Sequence, residues 1–296
     1  MKKYILLAFL SLTLALTACK SDEPSQQEPV EESSDDTVVE EPSVEPVTII
    51  PFVDAHGGYH EMVFNPDAAV HNYNWDYLKN DKSGIFYEGD ENYTIRKGVD
   101  VSYYQGDINW KKVKADGYDF AIIRLGFRGY GEEGTLNLDK TYHQNMKGAI
   151  KAGLDVGVYF FAQAINEEEA WEEAKFVLDA LEGYHLTMPV VYDPETIESD
   201  EARTDTVSGK QFTKNAAMFC RTIEDAGYDA MIYSNLIWES EKFDMGKLKN
   251  YPFWYADYEK IPQTPYDFVM WQYTSSGKVD GIEGRVDLNI EFIPTK

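Results

Sequence analysis

The sequence is short of cysteine, of positive charge and of long apolar runs. Two cysteines in 296 residues cannot frame a disulfide-stapled fold. Lys and Arg number 27 against 52 Asp and Glu, a formal charge of −25, which argues against a nucleic-acid partner because the basic footprint is missing. The apolar run Tyr4 to Ala18 has 15 residues, where a membrane-spanning helix needs about 20. What is present is material for a core. Apolar residues make up 43% of the chain and aromatics 14%, including 21 Tyr and 6 Trp, too rich a mixture for a wholly disordered acidic chain.

The chain divides into four parts. Residues 1–18 open with Lys2 and Lys3 before the apolar run, the pattern of an export signal. The run ends in Leu16-Thr17-Ala18-Cys19, which resembles the lipobox of bacterial lipoproteins and implies diacylation of Cys19, a membrane lipid anchor and a domain outside the cytoplasm. Residues 19–46 read as a disordered acidic linker: from Lys20 to Pro46 there are ten acidic residues, one Lys and no aromatic. Residues 47–96 are aromatic, with turn signals at Gly57-Gly58, Asp81-Lys82-Ser83-Gly84 and Gly89-Asp90, and are expected to form short strands packed on the main domain. His56 and His60 lie four apart in HGGYHE, which lacks the glutamate of HExxH and carries two glycines unsuited to a helix, so no metal site is expected.

From Lys97 a phrase recurs: glycine, one residue, Asp, then an apolar run. It stands at Gly117-Tyr118-Asp119, Gly153-Leu154-Asp155 and Gly227-Tyr228-Asp229. Each glycine reads as the left-handed residue that ends a helix before a buried strand, and the spacings suit one and two βα units of a parallel sheet. Asn166 and Glu169 form a capping-box pattern ahead of the apolar stripe Trp171, Ala174, Leu178 and Leu181. A second stripe, Phe212, Ala216, Phe219 and Ile223, has Cys220 beside it as a core thiol. Five βα units would start near Gly98, Phe120, Val156, Pro189 and Ala230. The strands expected at 253–258, 268–273 and 285–292 follow too closely for helical crossovers.

If these strands close a barrel, chemistry belongs at their C-terminal ends. Asp100 ends the first strand, Asp193 and Glu195 end the fourth, and Asp257 lies near the end of the sixth. Asp287 begins the eighth, and an antiparallel eighth strand would bring it to the same mouth. Paired carboxylates in an aromatic cleft are what glycoside hydrolysis requires: one protonated acid for the leaving oxygen and one charged group for the oxocarbenium-like centre. Tyr159, Phe161, Tyr192, Tyr233, Trp254, Trp271 and Tyr273 offer faces either for sugar rings or for core packing.

Several of these motifs, in order, resemble the glycoside hydrolase family 25 lysozymes: 97–106 (KGVDVSYYQG), Ile108-Asn109-Trp110, Asp193-Pro194-Glu195, 254–258 (WYADY), 271–277 (WQYTSSG) and Val286-Asp287-Leu288-Asn289. The resemblance runs over residues 97–296. It implies an α/β fold, a flattened TIM-like (β/α)5(β)3 barrel, and an N-acetylmuramidase that cuts the β-1,4 bond between N-acetylmuramic acid and N-acetylglucosamine in peptidoglycan. It implies Glu195 as general acid and base, Asp193 as the group that orients the N-acetyl or stabilises the cationic centre, and Asp100 and Asp287 completing the acidic floor. Gln105, Tyr159, Tyr192, Tyr233, Trp254, Asp257 and Trp271 are the expected substrate contacts. No cofactor is implied, and a monomer acting on glycan strands is expected. Many members carry Lys-x-Ser/Thr-Glu-Gly after the second strand. Here the stretch is Arg124-Leu125-Gly126-Phe127-Arg128-Gly129, implying altered sugar contacts at that rim. Two other readings fit the same residues: a non-catalytic glycan- or solute-binding lipoprotein, and a hydrolase of another N-acetylated glycan such as chitin.

Overall fold

The structure, a computed structural model, describes residues 47–296 apart from Lys82, Ser83, Ser199 and Lys296. The signal, the linker and the expected lipidation site Cys19 lie outside the described residues. The strands are β1 (Ile49–Val53), β2 (Tyr59–Val63), β3 (Leu78–Asp81), β4 (Gly84–Tyr87), β5 (Tyr93–Val101), β6 (Phe120–Arg128), β7 (Leu136–Leu138), β8 (Asp155–Ala162), β9 (Val190–Pro194), β10 (Ala230–Asn235), β11 (Phe253–Ala256), β12 (Met270–Gly277) and β13 (Val286–Pro294). The α-helices are α1 (Trp110–Ala115), α2 (Tyr142–Ala152), α3 (Glu167–Ala180), α4 (Gly209–Asp225) and α5 (Met245–Leu248), with a π-helical turn at Trp238–Lys242.

The three repeated glycines all take positive φ, 91° at Gly117, 80° at Gly153 and 87° at Gly227, so each helix ends in the left-handed turn that returns the chain to the sheet. Those returns build a closed barrel in the order β5, β6, β8, β9, β10, β11, β12, β13 and back to β5, with β7 appended to β6. Pairing is parallel from β5 round to β12 and antiparallel on both sides of β13. The result is the α/β TIM-like barrel. β11 and β12 pair in parallel although no helix joins them. The connecting loop is held by side chains instead, Gln263 donating its N–H to Asp257 at 2.9 Å.

Strand alternation sorts side chains into two cores. Phe120, Ile122, Met188, Val191, Met231, Trp254 and Met270 fill the barrel. Their neighbours in sequence, among them Ala121, Ile123, Val190, Tyr192, Ile232, Tyr255 and Trp271, face outward to the helices and loops. Gly98 is required here, because a Cβ would come within 2.1 Å of the Phe120 ring that plugs the barrel. The α4 stripe is buried as expected, with Cys220 fully buried beside it. Of the expected α3 stripe, Ala174 and Leu181 are buried and Leu178 is partly buried against the core; Trp171 departs from it. Ala170, Glu173, Ala174 and Val177 face inward and Trp171 is 48% exposed. The cause is electrostatic: Glu173 sits in the core because Arg128 Nε donates to it at 2.9 Å.

Residues ahead of the barrel form two hairpins, β1–β2 and β3–β4. Tyr73 stacks on Phe292 with ring centroids 4.1 Å apart and donates its hydroxyl to the Phe268 carbonyl at 2.5 Å. Phe52, Met62, Ile85 and Tyr87 are buried in the same core, each worth about 1.5–3 kcal/mol on the usual scale of apolar burial. The first barrel strand begins at Tyr93, so β5 takes in residues read from sequence as extension.

Candidate active site

Parity within each strand decides what reaches the barrel mouth. On β5 the inward face that holds Gly98 ends at Asp100, and on β9 the face that holds Val191 ends at Asp193, with Glu195 just beyond the strand. β13 runs antiparallel, so its start places Asp287 opposite Asp100. Tyr159 from β8, Tyr233 from β10 and Trp254 from β11 line the same cleft, which has a volume of about 730 Å³. The four carboxylates Asp100, Asp193, Glu195 and Asp287 and also Asp257 thus share one cavity with Tyr159, Tyr233, Trp238, Trp254 and Tyr258.

The site's electrostatics follow from crowding acids in a protein interior. Asp100 Oδ2 accepts from Gln272 Nε2 at 3.0 Å and Asn289 Nδ2 at 2.8 Å, yet burial, followed by the charge of Asp287, pushes its pKa well above the carboxylate range. Asp287 is raised to about 6, chiefly by burial, while its hydrogen bond with Asp100 pulls the other way. Asp193 is raised well above its ordinary value by burial, then by Glu195 and Asp100. Its Oδ1 has no hydrogen-bond partner among the described residues. Glu195 is reached by solvent from the cleft, while the protein packed round it and the charge of Asp287 raise it to about 7. Arg124 lowers both Asp193 and Glu195.

Three of the expected substrate contacts are elsewhere. Tyr192 faces outward and packs on Phe219 of α4, ring centroids 5.1 Å apart. Trp271 is fully buried in the outer core and donates its indole N–H to the Asp257 carbonyl at 2.7 Å. Gln105 is tied to the turn after β5, its Oε1 accepting from Ser102 N–H at 2.9 Å, and does not line the cleft. Phe161 and Tyr273 are not on the cleft wall either. For Tyr192 and Trp271 parity was the available signal. If Asp193 points in, Tyr192 points out; Gln272, inward on β12, excludes Trp271.

The residues that sequence reading passed over mostly hold others in place. Gln272 joins Asp100 to Tyr233 and Tyr258, whose hydroxyls donate to its Oε1 at 3.2 and 2.8 Å. Trp254 Nε1 donates to Asn289 Oδ1 at 2.8 Å, fixing the amide that reaches Asp100. Gln163 Nε2 donates to the Glu195 carbonyl at 2.8 Å and so holds the segment just past β9. Of the variant stretch 124–129, Arg124 projects into the mouth, its Nε on Asp139 at 2.8 Å and its guanidinium over the rings of Tyr103, Tyr104 and Phe127. Arg128 is buried on Glu173 and the Gly134 carbonyl, which removes it from the rim.

A closed α/β barrel with an acid cluster in an aromatic cleft at the C-terminal ends of its strands defines the class of barrel glycosidases. Residues 99–282 match the glycosyl hydrolases family 25, and the chain belongs to that family. It is 30% identical over 202 residues to Lysozyme M1 of Streptomyces globisporus, covering 65% of this chain and 66% of that one. In structure it is similar to the modular autolysin LytC of Streptococcus pneumoniae, with TM-score 0.60 and 26% identity over 82% of this chain and 56% of that one. It is also similar to the bacterial lysozyme of Streptomyces coelicolor, with TM-score 0.54 and 28% identity over 66% and 90% of the two chains. The chain therefore spans just under two thirds of Lysozyme M1 and little more than half of LytC.

Proposed function

We propose that this protein is a lysozyme, an N-acetylmuramidase that hydrolyses the β-1,4 bond between N-acetylmuramic acid and N-acetylglucosamine. The observation that carries the reading is the Asp193 and Glu195 pair at the end of β9, set in the cleft with raised pKa values beside Asp100 and Asp287. Glu195 faces the cleft solvent and keeps a proton up to near neutrality, as a general acid for the glycosidic oxygen must. With the leaving group gone, the same carboxylate takes a proton from the attacking water. Asp193 lines the cleft, and its charge, once formed, stabilises the cationic centre or orients an N-acetyl group acting as nucleophile. Asp100 and Asp287 complete the floor. Lysozyme M1 supports the reading by its name, and LytC by a solved complex with a synthetic peptidoglycan ligand.

We further propose a monomer acting on glycan strands; the export run and the Leu16-Thr17-Ala18-Cys19 sequence support its lipid anchoring at Cys19 and its place outside the cytoplasm. The decisive variant is Glu195→Gln, expected to lose at least about 10²-fold in activity, the lower scale of general acid catalysis. Release of reducing ends from cell walls measures it, and mass spectra of the products show whether muramic acid carries the new end. Undiminished activity in the variant, or new ends on glucosamine, would overturn the assignment.

A further inference from the structure

The family match starts at residue 99, yet the cleft wall includes Val53, Asp54, Ala55 and His56, from the end of β1 and the turn after it. That turn is firmly built. The Val53 N–H donates to Gln263 Oε1 and the Val53 carbonyl accepts from Gln263 Nε2, both at 2.9 Å. Gln263 is itself bonded to Asp257 on the cleft wall. The Asp54 carboxylate accepts from the backbone N–H of His56 at 2.8 Å and of Gly58 at 2.7 Å, and its other oxygen lies 2.7 Å from His60 Nε2. Beneath the turn, Phe52 and Met62 are buried, and Gly57 takes the positive φ of 84° that the turn requires. A segment fixed on both strands and through Gln263 is a wall. From it His56 reaches across to the loop that follows Glu195, its Nε2 3.5 Å from the Glu198 carboxylate.

We propose that the hairpin turn 54–58 is an end-stop of the glycan cleft: by meeting Glu198 it closes the cleft on its β9–β11 side, so the enzyme binds few sugar rings there and cuts strands from an end. This rests on the muramidase reading above. A groove that cleaves a polymer internally must let the strand leave on both sides of the scissile bond. Here His56 and Glu198 both line the cleft and approach to 3.5 Å, with the anchored Val53 to Ala55 segment beside them on the wall. The cleft holds about 730 Å³, within the ~300–1,000 Å³ of pockets that enclose a compact ligand. The specificity device thus comes from outside the residues that match the family.

The test compares full-length protein with His56→Ala/Glu198→Ala and with a chain whose turn 54–58 is replaced by Asn-Gly, a two-residue hairpin turn that preserves the Val53–Tyr59 pairing. The two exposed side chains, 74% and 73% accessible, can be removed without disturbing the core, so the double variant remains informative if the shortened turn fails to fold. Glycan strands freed of cross-links, and a peptidoglycan tetrasaccharide, are digested and early products sized by mass spectrometry. Wild type is expected to release the shortest repeat first, leaving long strands shortened from one end. The double variant should raise the share of internal cuts about two- to five-fold, the scale that an exposed ion pair can set, and the shortened turn should raise it further. Early products from wild type that spread over all lengths, as they do from the double variant, overturn the end-stop and leave the muramidase reading standing. Failure of wild type to cleave either substrate overturns the muramidase reading and the end-stop with it.

Discussion

Arg124→Gln is expected to move the alkaline limb of the activity profile upward by about one pH unit. Arg124 enters the barrel mouth from β6, its Nε held by Asp139 and its Nη2 buried with no partner among the described residues. It is the cation that opposes the upward shift of Asp193 and Glu195. In the proposed mechanism Glu195 must be protonated to act as acid, so activity is expected to fall as pH rises through about 7, the value to which the surrounding protein and then Asp287 raise it. Removing one positive charge from the same mouth, at an effective dielectric of about 20, changes the energy of each carboxylate by roughly 1–2 kcal/mol. One pKa unit corresponds to about 1.4 kcal/mol, which sets the expected displacement. Glutamine keeps a donor for Asp139, whose carboxylate also accepts from the N–H of Tyr103 at 3.1 Å and of Thr141 at 2.8 Å, so the fold is retained. The assay is kcat/KM for reducing-end release across the pH range spanning both limbs. A limb that stays in place, or moves down, would refute both Glu195 as the acid and Arg124 as the charge that tunes it.

Trp271→Phe removes an indole donor from the buried Asp257 carbonyl and is expected to cost about 1–3 kcal/mol of stability by denaturant unfolding, with KM for glycan unchanged; a large rise in KM would return Trp271 to the cleft. Glu239 lies buried under the cleft loops, accepting from Ser234 at 3.0 Å and Thr264 at 2.6 Å, and burial raises its pKa from 4.5 to about 8. Because the folded state holds that proton more tightly than the unfolded chain, its contribution is complete below the unfolded value of 4.5 and is lost as pH rises through about 8. Glu239→Gln should therefore flatten the fall in stability between those values by an amount on the order of a few kcal/mol, read from urea midpoints at a series of pH values. An unaltered slope would show that Glu239 does not carry it.

The local grammar of the barrel was legible because it is short-ranged. Gly117, Gly153 and Gly227 announce helix ends by backbone conformation alone, and Phe212, Ala216, Phe219 and Ile223 announce a buried helix face by spacing. The α3 face was misread at Trp171 alone, because an apolar stripe takes no account of a buried ion pair. Glu173 turns inward to Arg128, 45 residues away, and Trp171 turns out. Aromatic character was likewise a poor guide to the cleft, since Trp254 and Trp271 are equally apolar and differ only in strand parity.

By itself the sequence determined the class of chemistry: an acidic chain with Asp100, Asp193-Pro194-Glu195 and Asp287 at strand ends, in motifs that carry a family's signature. Closure decided the rest. Asp287 meets Asp100 only because β13 is antiparallel to β5, a pairing across nearly the whole barrel in sequence that depends on the ladder of hydrogen bonds closing on itself. The Val53 to His56 wall stands at the cleft only because Tyr73, Phe52 and Met62 bury the preceding hairpins against the last barrel strands and loops. Short-range propensity has no information about such contacts, since their energy comes from surface buried between segments distant in the chain.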